Sequence, residues 1–174
     1  MKGYESDKLC AECGGSCCKS MGCSLSPEDM LREIKTEPTF EAVEHWLKEG
    51  EYAIDSASFI GKRLYYVRMR HKCFTFIGVD AMGECIALTE RGCGRSYENR
   101  PKGGRFLEGK ENHRCEQHYT QEMMYEEWLP YQEILADIWQ KWYEVMERDG
   151  TFERCEEAYM EYQIAKRQRQ KGYI

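Results

Sequence analysis

Four cysteines fall within nine residues near the start of the chain, in Cys10-Ala-Glu-Cys13-Gly-Gly-Ser-Cys17-Cys18, and Cys23 follows five residues later. Thiolates bind soft or borderline metals, and a Cys-x-x-Cys pair brings two sulfurs to one ion from a single tight turn. Gly14 and Gly15 relieve the steric cost of positive φ and let backbone N–H groups face the sulfurs. The knuckle therefore reads as the holder of a metal ion or an iron–sulfur cluster. A disulfide framework or buried free thiols are the alternatives. In an extended segment, the neighbours Cys17 and Cys18 point to opposite faces. One of them is then not a ligand, or the backbone is irregular there, or the two serve different metals. Two nearby sites or a polynuclear centre is the favoured expectation.

The cysteines matter more because of where they sit. The start, Met1 to Lys8, lacks the apolar core of a signal peptide, and no apolar run approaches a membrane span. A cytoplasmic protein with no membrane partner is expected, and cytosolic thiols stay reduced. Ten cysteines in 174 residues then point to metal ligation rather than to disulfides. The length suits a single domain over 1–174, with a cysteine-bearing region at about 10–115 and a helical region at about 120–170. The net charge of −6 argues against nucleic acid as a partner. Bases concentrate in Arg91, Arg95, Arg100, Lys102, Arg105, Lys110 and Arg114, which leaves a phosphate-binding surface open.

Local patterns give an α+β expectation: a small antiparallel sheet with a long metal-stapled loop and C-terminal helices. Ser26-Pro27-Glu28-Asp29 has the cap, first-turn proline and acids of a helix start, and Met30, Leu31 and Ile34 supply an apolar face. A second helix carries Phe40, Val43, Trp46 and Leu47 and stops at Gly50, with His45 as a surface or core-edge residue. Three strands are expected at Arg63–Arg70, Cys73–Ile77 and Cys85–Leu88, with a turn at Gly78–Gly83. Residues 89–118 lack apolar periodicity, and a loop that long needs something to fix it. Bound metal would do so, with Cys93 and Cys115 at its ends and Cys85 just before it. Ile134, Leu135, Ile138, Trp139, Trp142, Val145 and Met146 then mark a long helix ended by Asp149-Gly150. The last helix carries Phe152, Cys155, Tyr159 and Tyr162 on one side, with Cys155 a buried free thiol.

The run from Cys85 through Leu88, Cys93, Tyr97, Arg100, Pro101 and Arg105, taken with the N-terminal knuckle, resembles the YkgJ-type cysteine-cluster family. That family is described as zinc- or iron-chelating and often as holding an iron–sulfur cluster. Its N-terminal Cys-x-x-Cys-x-x-x-Cys-Cys matches Cys10, Cys13, Cys17 and Cys18, and its helix aspartate matches Asp29. Two departures stand out: Cys93 and Tyr97 are one residue further apart than usual, and Gly104 stands where the family has a cysteine. The resemblance implies a ligand set of Cys10, Cys13, Cys17, Cys18, Cys85, Cys93 and Cys115. Cys23, Cys73, His113 and His118 are the candidates to replace the missing cysteine.

The cofactor expected is an iron–sulfur cluster or zinc. Because thiolates around zinc leave net negative charge, Arg100 and Arg105 read as its counter-charges, with substrate binding as the alternative. Three functions follow. The first is a metal-binding protein, structural with zinc or serving electron transfer or sensing with iron–sulfur, in which case a redox partner is implied. The second is a metal-dependent enzyme, redox-active or resembling a flagellin lysine N-methylase. The third is a metal-stapled module that uses its C-terminal helices to hold a protein partner.

Overall fold

The computed structural model describes residues 7–79, 83–112 and 115–172, and of Asp7 and Cys10 it describes the backbone alone. The architecture is α+β, built on one antiparallel hairpin. Strand β1 (Tyr52–Phe59) pairs with β2 (Lys62–Met69) from Tyr52↔Met69 at the open end to Phe59↔Lys62 at the turn. Ile60 and Gly61 link them with φ of 47° and 72°. Two successive positive φ angles make a two-residue turn whose twist matches that of the strands.

The expected three-stranded meander is corrected in two places. Arg63–Arg70 is a strand, but its partner is the preceding segment Tyr52–Phe59. Cys73–Ile77 and Cys85–Leu88 form no ladder with the hairpin among the described residues and pair there through isolated bridges, Ile54↔Ile77 and His71↔Cys85. Thr75 explains the first case. Its hydroxyl accepts from the Ile77 N–H at 3.0 Å and donates to the Ile77 carbonyl at 3.2 Å, a local bond that competes with a ladder.

Helices cover the hairpin. In α2 (Pro27–Ile34) the Ser26 cap and Asp29 form the reciprocal capping box. Thr39 caps α3 (Phe40–Glu49), and Thr120 caps α5 (Gln121–Trp128). A 3₁₀ turn, Leu129–Tyr131, carries Pro130 and leads into α6 (Gln132–Arg148), which packs on β2. The Gln132 amide bonds both the N–H and the carbonyl of Tyr65, at 2.9 and 2.7 Å, and so acts as a further rung beside that strand. Met30, Leu47, Ile54, Val67, Trp128, Leu135 and Ile138 are fully buried between these elements.

Gly150, at φ 71°, turns the chain into α7 (Thr151–Gln170). Phe152, Cys155, Tyr159 and Tyr162 do share the inward side, but all are half-buried, so Cys155 is not the buried thiol expected. Polar contacts hold this helix: Tyr162 Oη donates to Glu84 at 2.7 Å, and Lys166 pairs with the same carboxylate. The stretch expected as a bare loop holds short elements instead. They are β3 (Leu88–Thr89) with β4 (Gly92–Cys93), a one-turn α4 (Lys102–Arg105), and β5 (Leu107–Glu108) with β6 (Glu116–Gln117). Among the described residues no helix is long and apolar enough to cross a membrane.

Candidate metal centre

The N-terminal knuckle is not an extended turn. Helix α1 (Asp7–Cys13) ends at Gly14 and Gly15, whose φ of 63° and 69° suit glycine, and a 3₁₀ turn follows over Cys17–Lys19. A Cβ on Gly15 would stand 2.8 Å from Leu88 Cδ1 and 3.2 Å from Gly92 Cα, so the knuckle is seated directly on the β3–β4 hairpin. Helix α1 packs on β4, which carries Cys93.

Backbone hydrogen bonds lock three segments together. The Cys85 N–H donates to the Cys18 carbonyl at 2.8 Å, and the Gly83 N–H to Ser20 at 3.1 Å. The Met69 N–H donates to Cys23, and the Leu25 N–H to Val67, both at 2.8 Å. Residues 23–25 thus run along the free edge of β2, and residues 83–86 close against 18–20 and 70–72. This frame brings cysteines from both ends of the pattern to one place.

Cys18 is the hub. Its buried thiol lies 4.0 Å from that of Cys17 and is within hydrogen-bonding reach of Cys23, Cys85 and Cys93 as well. The sulfurs are spread around Cys18 rather than closed into a cage. Among the described residues the one set of three donors all within 4.8 Å of each other is Glu108, Glu116 and His118. The protons follow the same plan. The Cys17 thiol first, then Cys23, Cys85 and Cys93, push Cys18 far above the ordinary thiol range. The hydrogen bond from Cys18 holds Cys93 down to about 5, against burial and helped by the Arg95 N–H and the Arg100 guanidinium. Cys18 likewise draws Cys17 down to about 7, and lowers Cys85 with the help of the Ala87 N–H. Hydrogen bonding to Cys18 therefore eases the ionisation of Cys17, Cys85 and Cys93. Soft sulfur donors with N–H groups aimed at them are the donor chemistry that zinc or iron takes.

Of the expected ligands, Cys17, Cys18, Cys85 and Cys93 come together. Cys13 is half-buried at the end of α1, and Cys10, three positions earlier on that helix, has its side chain outside the described residues. Cys115 does not join the contacts around Cys18. It precedes β6, next to the hairpin bearing Glu108, Glu116 and His118. Lys110 already pairs with Glu108 and Glu116, at 2.8 and 3.6 Å, so a cation occupies that acidic corner. Among the stand-ins, Cys73 is exposed in a left-handed turn, His118 pairs with Glu108 at 2.9 Å, and His113 lies outside the described residues.

Cys23 lies where a side chain at position 104 would reach. A Cβ on Gly104 would stand 3.3 Å from Cys23 Sγ. The chain matches no protein-family model, no curated protein and no solved structure in the comparisons made. The likeness to the cysteine-cluster family therefore rests on the residues quoted above.

The two arginines part company. Arg100 is buried and faces the Cys93 thiol. Arg105 pairs with Asp29 at 3.0 Å and bonds the Arg100 carbonyl, so it braces the loop rather than the sulfurs. Arg95, read from the sequence only as part of the basic stretch, acts on the centre through its N–H on Cys93 and its charge near Cys85.

Proposed function

We propose that this is a metal-binding protein whose cysteine thiolates hold zinc or an iron–sulfur cluster, with Cys17, Cys18, Cys23, Cys85 and Cys93 at the core of the site. The observation that carries the reading is the position of the Cys18 thiol in reach of four others. Zinc is favoured. With Zn–S bonds near 2.3 Å, the edge of a thiolate tetrahedron is about 3.8 Å, close to the 4.0 Å between Cys17 and Cys18. In a four-iron cluster each cysteine binds a different iron, which sets the sulfurs further apart. The metal staples α1 and the 17–23 segment to Cys85 and Cys93, so binding is coupled to folding. Such a dense set of reduced thiols suits the cytoplasm.

Thermal unfolding with and without a strong chelator tests the reading. A metal staple predicts a lower midpoint after chelation and recovery on adding back zinc. An unchanged midpoint in protein shown to be metal-free contradicts it.

A catalytic reading has one observation in its favour. A shallow pocket of about 310 Å³ is lined by Cys93 together with Arg91, Arg95 and Arg100. It would suit an anionic substrate held beside the metal, and it requires an open coordination position.

A further inference from the structure

We infer that the cleft between α7 and the N-terminal knuckle binds a small organic phosphate. No cysteine lines that cleft among the described residues, so the inference stands apart from the metal-binding reading.

The argument starts from a helix that adds little to the core. Helix α7 runs for 20 residues, yet none of them is fully buried. Its second half instead carries Tyr162, Ala165, Lys166 and Arg169, a spacing that puts them on one face. That face forms one wall of a cleft of about 710 Å³. Small-molecule sites span roughly 300–1,000 Å³. Lys19 lines the cleft from the knuckle, and Lys72 and Leu88 line it from the segments that close on the knuckle.

Charge decides what such a cleft takes. Four bases, Lys19, Lys72, Lys166 and Arg169, stand against two acids, Glu84 and Glu90, an excess of two positive charges in a chain of net charge −6. Glu84 is buried and already engaged. Tyr162 Oη donates to it at 2.7 Å, Lys72 Nζ lies 3.6 Å away, and Lys166 pairs with its other oxygen. Lys72 also donates to the Leu88 carbonyl at 2.9 Å, so two of the four cations are held in place. Lys19 and Arg169 are exposed, and neither pairs with an acid among the described residues. Two anchored and two unpaired cations on three separate segments suit an anion with more than one charge. Ammonium and guanidinium groups are the donors that phosphate takes. Leu88, Ala165 and Tyr162 give the same cleft an apolar side, which favours an organic phosphate such as a nucleotide over the bare ion.

The test uses the full chain as purified, with ADP and inorganic pyrophosphate as probes and adenosine as the control, read by titration calorimetry. Metal per chain is measured before and after each titration. ADP is expected to bind more tightly than pyrophosphate, adenosine not at all, and the affinity for ADP is expected to fall as salt rises. Lys19→Ala/Arg169→Ala is expected to weaken ADP by about tenfold or more. Lys62→Ala/Arg148→Ala, which removes two exposed charges elsewhere, leaves ADP binding unchanged. Circular dichroism shows that each variant is folded. Pyrophosphate as tight as ADP overturns the preference for an organic phosphate. No binding of either probe, or ADP binding that survives in Lys19→Ala/Arg169→Ala, overturns the site. Metal content reports on the cysteines alone, so the metal reading and the cleft fail separately.

Discussion

Cys23 Sγ occupies the space a side chain at position 104 would enter: a Cβ on Gly104 would lie 3.3 Å from that sulfur and 3.3 Å from Arg100 Cβ. Any larger residue there makes Cys23 or Arg100 shift by a few tenths of an ångström. A cysteine at 104 would thus carry its sulfur into the neighbourhood of Cys23. Cys23→Ala is expected to lower the metal content or the affinity by at least tenfold, about 1.4 kcal/mol. The double variant Cys23→Ala/Gly104→Cys is expected to recover most of it. Competition with a chromogenic chelator measures both. A double variant no better than Cys23→Ala contradicts the exchange.

Asp29 ties the helix that follows the cysteine knuckle to the loop that follows Cys93. Its buried carboxylate accepts from the Ser26 N–H at 3.0 Å, the Lys102 N–H at 2.8 Å and Arg105 at 3.0 Å. Asp29→Ala strands these donors and a mostly buried guanidinium. A loss of about 3–5 kcal/mol is expected from breaking such a buried pair. Denaturant unfolding checks it, and a loss under about 1 kcal/mol would mean that solvent replaces the carboxylate freely.

Much of this was legible in the sequence where a signal was local. The helix start at Ser26-Pro27, the Phe40-to-Gly50 helix and the long α6 stripe all appear where their residues placed them. What failed depended on distant partners. Tyr52–Phe59 reads Tyr-Ala-Ile-Asp-Ser-Ala-Ser-Phe, with too little alternation to announce the partner of β2. Cys73–Ile77 has strand composition, but Thr75 bonds its own neighbours. Cys17 and Cys18 were legible as a pair, yet the rule of opposite faces failed because the turn there is helical. Cys115 fitted a spacing, and Cys23 was one of four stand-ins. Only the pairing of residues 23–25 with the edge of β2 separates them.

Glu44 joins α3 to α6 far from the cysteines. Burial pushes its carboxyl up, but hydrogen bonds from Lys141 and Trp142, at 2.7 and 2.6 Å, and the Lys48 charge outweigh that and hold it below its usual 4.5. A depressed carboxylate contributes stability that is present above its unfolded value and lost as pH falls through the folded one. Glu44→Gln is expected to lower the melting temperature at pH 7, and the gap from wild type should close as pH drops below about 4.5. A gap that is constant with pH would assign the effect to packing alone.

Removing metal should loosen the protein unevenly. Hydrogen exchange after chelation is expected to speed up in α1, residues 17–23 and residues 83–93, while Val67, Leu135 and Ile138 keep their protection within the hairpin–α6 core. Uniform loss of protection would mean that the centre holds up the whole fold, not one end of it.

The central claim is that the thiols around Cys18 hold metal. The most direct measurement is zinc, iron and acid-labile sulfide per chain, with the visible spectrum, on protein purified without oxygen. The account predicts stoichiometric zinc, no sulfide and no colour. Protein that carries neither metal, with Cys17, Cys18, Cys23, Cys85 and Cys93 free or oxidised in pairs, would contradict it.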